Sequence, residues 1–401
     1  MKNNTKTTLW GKDMYQVKTY NAIAQAGLDQ FTDNYQINQT DNADAYLIRS
    51  VNLHDETFPE SLKIIARAGA GFNNIPLDRA TQNGIAVVNT PGSNANAVKE
   101  LIISLLVASS RNLFDAADYS AHNIGADISL RTEHDKTKFK GTELTSKTLA
   151  VIGVGHVGSL VANAASALGM NVIGYDPYLS SDAAWHISTS ITRARTLDEA
   201  LKSADYVTVH VPKNEETTGL IGKEQLAVMK DGVHLFNYSR GGIVDNQAAV
   251  EALDAHHLQT YMTDFGEDIL LNRDDVVVTP HIGGSTDEAE VNGATQGAHT
   301  IMTYLETGNI QNSVNLPNLQ VPFQAPYRIT LIHKNIPNMV GQIATALANA
   351  GINIKSMSNA ARKDIAYTMI DLDNLKNEED NKLIEKLGKI DAVFRVRVLK
   401  H

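Results

Sequence analysis

Short apolar runs alternate along most of the chain with stretches in which apolar side chains recur at helical spacing. Before residue 90, the apolar runs 45–48, 63–66 and 84–89 predict strands, and the segments between them predict helices. Further runs predict strands of a second α/β unit at 149–152, 171–175, 206–211, 233–237 and 276–279. Strands that alternate with helices are typical of parallel sheets, so both units are predicted to be α/β.

The longest apolar segment, 101–108, is too short to span a bilayer, which takes about 20 apolar residues. Its period is helical, and one face carries Val98, Leu101, Ile102, Leu105 and Leu106. The segment is therefore predicted to be a core helix.

The pattern changes after residue 301. Residues 309–326 are rich in Asn, Pro and Gln and predict a linker. The remainder predicts a strand, a helix, two strands, a helix and a strand, at 328–333, 339–350, 352–354, 367–372, 381–387 and 393–398. This β-α-β-β-α-β order is that of a ferredoxin-like unit.

The segment Gly153-Val154-Gly155-His156-Val157-Gly158 lies between the predicted strand 149–152 and a small-residue helix, 161–168. Strand, glycine turn and helix form the context in which G-x-G-x-x-G binds a dinucleotide. The glycines allow a tight turn, close approach of the backbone to a pyrophosphate, and close packing of the helix, whose N-terminus favours phosphate. The alternative is an accidental glycine turn in another α/β protein.

Asp176 follows the next predicted strand, where this fold places an acidic group on the adenosine ribose. Its carboxylate would accept hydrogen bonds from the ribose hydroxyls and repel the extra phosphate of NADP. The predicted cofactor is therefore NAD.

Composition narrows the class of protein. A chain of 401 residues with 43% hydrophobic residues predicts two or three globular domains, and the net charge of −10 argues against nucleic acid or an anionic membrane as partner. There is no cysteine, which excludes disulfides and thiolate chemistry and is compatible with the cytoplasm. Residues 1–11 are polar and lack the apolar core of a signal peptide.

Two candidate catalytic residues, Arg240 and His281, follow the ends of predicted strands. Arg240, before two glycines, would bind a carboxylate with its planar guanidinium, although a surface ion pair is the alternative. His281, in Pro280-His281-Ile282-Gly283-Gly284, could exchange a proton with a substrate hydroxyl while hydride leaves the same carbon. The chain has 13 histidines, and His281 is singled out by its location.

The chain resembles the phosphoglycerate dehydrogenase branch of the D-2-hydroxyacid dehydrogenase family. The matching segments are 66–76, 89–92, 153–158, 239–241 and 280–286, and the C-terminal unit resembles the ACT regulatory domain of the same enzymes. The resemblance implies a substrate domain (1–95 and 290–315), an inserted Rossmann-type NAD-binding domain (96–289), a linker (316–326) and an ACT domain (327–401). It also implies pairing of subunits into a homodimer or homotetramer.

The resemblance implies oxidation of 3-phospho-D-glycerate to 3-phosphohydroxypyruvate, the first step of L-serine biosynthesis, by an Arg–Glu–His set. Arg240 would bind the substrate carboxylate and His281 would be the acid/base. Glu267 would orient the imidazole, with Asp268 as second candidate, but the segment departs from the family pattern and Glu267 could be an exposed loop residue. Further cofactor contacts would come from Gly153, Gly155, His156, Val157, Gly158, Asp176, Val211, Tyr238, Asp264, Gly283 and Gly284.

The resemblance assigns the substrate phosphate to Arg49 and Arg67, with Asn73 and Asn74 either binding substrate or forming a turn at positive φ. It assigns an L-serine effector to His333, Asn335 and Asn353, unless the domain serves only assembly. Asn338 replaces a usual glycine, and Asn tolerates the left-handed conformation. The remaining alternatives are a dehydrogenase for glycerate or 2-hydroxyglutarate and a non-catalytic NAD-sensing protein.

Overall fold

The computed structural model describes residues 6–8, 14–179, 181–375 and 377–401. Most of the polar segment 1–11 therefore lies outside the described residues. The chain divides into two units, one formed by residues 1–93 with 290–401 and the other by residues 94–289. The functional boundaries expected from the family resemblance stay a prediction.

The first unit begins with a parallel sheet in the strand order β3-β2-β4-β5-β6. The strands predicted near residues 45, 63 and 84 are present as β4, β5 and β6. The strands β2 and β3 were not predicted, because polar and apolar residues are mixed along them. The elements are β1 (Lys6–Thr8), β2 (Tyr15–Tyr20), α1 (Gln25–Leu28), β3 (Tyr35–Ile37), β4 (Ala45–Ile48), β5 (Ile64–Arg67), α2 (Leu77–Gln82) and β6 (Ala86–Asn89).

The second unit is a Rossmann-type fold whose parallel sheet has the order β13-β12-β11-β10-β7-β8-β9. Its helices are α3 (Ala95–Ser110), α4 (Leu113–His122), α5 (Ile128–Asp135), α6 (His156–Ala167), α7 (Ser181–Ala184), α8 (Leu197–Lys202), α9 (Lys223–Val228) and α10 (Asn246–Asp254). Its strands are β7 (Thr148–Ile152), β8 (Asn171–Tyr175), β9 (Thr192–Arg193), β10 (Tyr206–Val209), β11 (Val233–Asn237), β12 (Leu258–Thr263) and β13 (Val276–Val278).

The chain reverses its direction of growth across this sheet between the neighbours β7 and β10. In open α/β sheets, ligands bind in the crevice outside the carboxyl ends of the strands at such a point. The predicted core helix is α3, which buries Val98, Ile102, Leu105 and Leu106 against this sheet. The fold therefore places the glycine segment, which follows β7, at the expected crevice.

The C-terminal part has the predicted ferredoxin-like order, with antiparallel strands arranged β17-β14-β16-β15 and with β1 added beside β17. The strand predicted to open at 352–354 begins at Ile354. The elements are α11 (Asp287–Thr307), β14 (Tyr327–Lys334), α12 (Met339–Asn349), β15 (Ile354–Arg362), β16 (Ile365–Leu372), α13 (Asn377–Gly388) and β17 (Val393–Lys400). Among the described residues, no helix is long and apolar enough to cross a membrane.

Buried arginines join this C-terminal sheet to the rest of the first unit. Arg397 donates to the carbonyls of Tyr304 and Leu305 in the last turn of α11. Arg395 donates to the carbonyl of Asn83, which caps α2, and burial lowers its pKa to about 10. Since carbonyls at helix C-termini carry partial negative charge, these bonds hold the ends of both helices.

Candidate active site

The glycine segment has the three features that a dinucleotide loop needs. Gly153 adopts φ +88°, and a Cβ there would lie 2.8 Å from the backbone of His210. A Cβ at Gly158 would clash with the carbonyl oxygen of Gly153, so α6 packs tightly on the loop. A Cβ at Gly155 would meet nothing within 4 Å, and Gly155 and His156 are exposed where α6 begins. The loop thus leaves open space at the helix N-terminus, which fits a bound pyrophosphate.

Asp176 lies at the end of β8, beside this loop. Its carboxylate accepts the backbone N–H groups of Val154 at 3.0 Å and Tyr178 at 2.9 Å. One oxygen serves each donor, and each oxygen has a second acceptor site. The carboxylate therefore holds the glycine loop and keeps capacity for ribose hydroxyls.

Two further predicted cofactor residues lie in the same unit. The side chain of Val211 lies against Gly153, and its carbonyl accepts the hydroxyl of Ser239. Tyr238 is only 5% exposed; its hydroxyl oxygen lies 3.3 Å from the hydroxyl oxygen of Thr279, and burial raises the pKa of Tyr238 to about 12. Val211 thus borders the glycine loop, and Tyr238 reaches the segment that leads to His281.

Arg240 follows β11 and is half-buried. It donates one guanidinium N–H to the carbonyl of Ser239 at 2.7 Å, while its own carbonyl accepts from Asn237. Burial lowers its pKa from the usual range, but a guanidinium remains charged in proteins. The structure places a fixed cation after the carboxyl end of a central strand.

His281 is exposed and adopts φ +56°, a left-handed conformation that is uncommon for a residue other than glycine. Asp264 holds the surrounding loop: its carboxylate accepts the N–H groups of Ile282 at 3.0 Å and Gly283 at 2.6 Å, and the hydroxyl of Thr279. Asp264 is 4% exposed. The loop is therefore fixed by a buried carboxylate that the sequence had suggested only as a cofactor contact.

Phe265 lies between the segment that contains Arg240 and the loop that contains His281, and the sequence gave it no predicted role. Its ring meets the His281 imidazole edge to face, with centroids 5.1 Å apart. A Cβ added at Gly241 would lie 3.4 Å from Phe265, so the same side chain also borders the residue after Arg240. Phe265 lies two residues after Thr263, the last residue of β12, and no sequence signal marked it because this strand was not predicted.

The structure does not bring the predicted carboxylate partner to the imidazole. Glu267 and Asp268 are both exposed, and no hydrogen bond joins either of them to His281 among the described residues. Glu267 instead precedes a 3₁₀ turn, Asp268–Leu270, and its carbonyl accepts the N–H of Leu270. The orienting role of Glu267 stays a prediction.

The two glycines after His281 are required by their neighbours. A Cβ at Gly283 would lie 2.8 Å from the Asp264 carboxylate, and one at Gly284 would clash with the side chain of Asn94. Both positions therefore serve packing of the loop in this structure, and their contact with a cofactor stays a prediction.

In the first unit, three of the four predicted substrate residues lie together. Arg67 donates its Nε to the carbonyl of Arg49 at 3.0 Å, and Asn74 donates to the carbonyls of Arg49 and Val51. The paired strands β4 and β5 explain this proximity, since Ile48 and Arg67 are in register. Asn73 is exposed and accepts a bond from His54. Neither asparagine has a positive φ.

The predicted effector residues differ in exposure. His333 is 1% exposed, and its ring nitrogens bond to Lys334 O and Thr368 Oγ1, both at 2.8 Å. Asn335 and Asn353 are exposed, and Asn335 donates to the carbonyl of Lys363. Asn338 adopts φ +66°, the left-handed conformation expected for a residue in place of glycine.

Comparison with known proteins places these features in a family. Residues 103–283 match the family described as "D-isomer specific 2-hydroxyacid dehydrogenase, NAD binding domain". D-3-phosphoglycerate dehydrogenase of Archaeoglobus fulgidus is 40% identical over 73% of this chain and 54% of its own length. D-3-phosphoglycerate dehydrogenase 1 of Saccharomyces cerevisiae is 29% identical over 99% of this chain and 86% of its own length.

The crystal structure of an NAD⁺-bound 3-phosphoglycerate dehydrogenase from Entamoeba histolytica has a TM-score of 0.60 and 25% identity, covering 76% of this chain and 100% of that one. The chain is similar to the D-isomer specific 2-hydroxyacid dehydrogenase family over residues 103–283. Its Rossmann-type unit carries the NAD-binding domain of that family, and its cofactor is NAD. The chain spans about half the length of several curated relatives that it matches, all D-3-phosphoglycerate dehydrogenases.

Proposed function

We propose that this protein is an NAD-dependent dehydrogenase that oxidises 3-phospho-D-glycerate to 3-phosphohydroxypyruvate, the first step of L-serine biosynthesis. The observation that carries the proposal is the position of one side chain, Phe265, whose ring meets that of His281 and which also borders Gly241, the neighbour of Arg240. A cation for a carboxylate and an imidazole for a hydroxyl proton are the two groups that oxidation of a 2-hydroxyacid requires. The similarity to D-3-phosphoglycerate dehydrogenases supports the choice of substrate.

In the proposed reaction, Arg240 binds the substrate carboxylate and polarises the C2 oxygen. The imidazole of His281 accepts the proton of the C2 hydroxyl as that oxygen becomes a carbonyl. NAD, when bound, supplies the acceptor for the hydride that leaves C2. In the reverse direction His281 returns the proton to the oxygen. An imidazole suits both directions because its ordinary pKa lies near neutrality.

We assign the orientation of His281 to two neighbours with defined contacts. The Asp264 carboxylate holds the backbone of the loop, and Phe265 restricts the ring from one side. Such fixed placement lowers the entropy that the reaction would otherwise lose on positioning the base. Glu267, or Asp268 behind it, is proposed to approach the imidazole only when the ligands are bound.

The cofactor is proposed to bind along the carboxyl edge of the Rossmann-type sheet. His156 and Val157 would offer backbone N–H groups to the pyrophosphate from the first turn of α6, and Asp176 would bind the ribose. Val211 and Tyr238 would line the adenine and nicotinamide sides.

The phosphate of the substrate is proposed to bind Arg49 and Arg67, with Asn73 and Asn74 beside them. The bonds of Arg67 and Asn74 to the Arg49 carbonyl support a shared site. Two cations favour a phosphorylated substrate over glycerate, which has no second anionic group to neutralise them.

Regulation, assembly and location are further parts of the proposal. L-Serine would act at the C-terminal domain through His333, Asn335 and Asn353. The subunits would form a homodimer or homotetramer in the cytoplasm. The exposed amides of Asn335 and Asn353 support an effector role, since an amide offers both a donor and an acceptor to an amino acid.

The experiment that tests the proposed function is a substrate panel in the direction of oxidation. Purified protein with NAD is given 3-phospho-D-glycerate, D-glycerate or D-2-hydroxyglutarate, and the product is trapped as a hydrazone and identified by mass. We expect 3-phosphohydroxypyruvate to form with the highest kcat/KM. A higher kcat/KM for either other acid would assign the enzyme to that substrate.

A further inference from the structure

Arg49, the residue proposed to bind the substrate phosphate, forms an ion pair within the first unit. Its guanidinium NH1 lies 2.6 Å from Oε1 of Glu290, and the two side chains are 37% and 36% exposed. Sequence reasoning assigned no role to Glu290. The carboxylate thus holds the cation on which a phosphate would have to bind.

The position of Glu290 follows from the packing of α11. A Cβ added at Gly293 would lie 3.4 Å from the backbone of Ala68, so this turn of the helix packs on the segment that follows Arg67. Glu290 precedes Gly293 by three residues and therefore lies on the same face of the helix. The fold brings the carboxylate of Glu290 to the carboxyl end of β4, where Arg49 is the first residue after the strand.

We propose that Glu290 competes with the substrate phosphate for Arg49 and so sets the KM for phosphorylated substrates: its carboxylate binds the guanidinium until the phosphate displaces it. The inference rests on the proposed function, since it concerns the phosphate of the proposed substrate. A phosphate dianion carries more charge and more acceptor oxygens than a carboxylate, so it gains when it replaces Glu290 on the guanidinium. A substrate that ends in a carboxylate exchanges one carboxylate for another and gains little. A substrate without a second anionic group leaves the pair intact.

The test is Glu290→Gln, assayed by NADH oxidation with 3-phosphohydroxypyruvate and with hydroxypyruvate. Because exposed ion pairs contribute about 0.2–1 kcal/mol, we expect KM for the phosphorylated substrate to fall by a factor of about 1.4 to 5. The KM for hydroxypyruvate and both kcat values should not change. Inorganic phosphate, used as a competitive inhibitor, should bind more tightly by a similar factor.

Glu288→Gln is the matched control, because Glu288 is an exposed carboxylate on the same helix. Glu288→Gln should leave KM and kcat for both substrates unchanged. This control separates the loss of the carboxylate on Arg49 from a general change in the charge of the protein. An unchanged or higher KM for 3-phosphohydroxypyruvate in Glu290→Gln, or an equal fall for both substrates, would overturn the inference. Failure of the proposed function would be visible separately, as a wild-type protein that does not reduce 3-phosphohydroxypyruvate.

Discussion

The carboxylate of Asp264 accepts the backbone N–H of Gly283 at 2.6 Å, from a position that is 4% exposed. With its bonds to Ile282 and Thr279, it secures the loop in which His281 adopts a left-handed backbone. A single buried side chain thus fixes the placement of the proposed acid/base.

Asp264→Asn should lower both stability and turnover. The amide nitrogen of Asn cannot accept an N–H, so at least one backbone donor loses a charge-assisted bond that is worth about 1.5–3 kcal/mol. We expect a lower Tm and a fall in kcat of at least about tenfold. Thermal unfolding and steady-state kinetics measure these effects. If kcat stays at the wild-type value while Tm falls, Asp264 serves only stability.

His281→Ala should abolish turnover while leaving NADH binding largely intact. General acid–base catalysis contributes about 10²- to 10⁴-fold, and most of the proposed nucleotide contacts are made by other residues. Stopped-flow rates and a fluorescence titration with NADH separate the two quantities. His122→Ala, at an exposed position on α4, is the control and should behave as wild type. Wild-type turnover in His281→Ala would remove this residue from the mechanism.

Asp176→Ala should relax the preference for NAD over NADP. Its carboxylate would repel the extra phosphate of NADP, and loss of this charge should raise the NADP/NAD ratio of kcat/KM about tenfold, or about 1.4 kcal/mol. The carboxylate also holds the N–H groups of Val154 and Tyr178. Asp176→Asn removes the charge but keeps one acceptor oxygen for these N–H groups. It therefore shows how much of the change in the NADP/NAD ratio comes from disturbing the glycine loop. An unaltered ratio in both variants would argue against the ribose role.

Arg67→Ala should raise KM for 3-phosphohydroxypyruvate by about tenfold or more and affect hydroxypyruvate far less. The variant loses both a cation and the bond to the Arg49 carbonyl. Arg67→Lys restores the charge without the planar guanidinium and should recover part of the affinity. Equal effects on the two substrates would place Arg67 outside the phosphate site.

L-Serine should bind the protein and inhibit it if the predicted effector residues form a working site. Isothermal titration with L-serine, and with D-serine as control, measures this directly. Asn353→Ala should weaken binding without changing kcat, because Asn353 is an exposed residue of the C-terminal domain. An absence of heat with L-serine would leave the domain a role in assembly.

The sequence predicted the elements whose signals are local. The glycine segment can be recognised because an apolar strand precedes it and a small-residue helix follows it. Arg240 and His281 can be recognised because each follows the end of a predicted strand. The strand β12 was missed because its apolar residues are interrupted by Gln259 and Thr260. Contacts between distant segments gave no such signal: Phe265 beside Gly241, and Glu290 beside Arg49, follow from tertiary packing.

The measurement that tests the central claim most directly is the initial rate of NADH oxidation by the wild-type protein with 3-phosphohydroxypyruvate. We predict saturable turnover, with a kcat/KM at least about tenfold higher than for hydroxypyruvate, because the phosphate would form charge-assisted bonds with the two proposed arginines. NADH that binds without turnover of any 2-oxoacid would contradict the account and indicate a protein that senses the nucleotide.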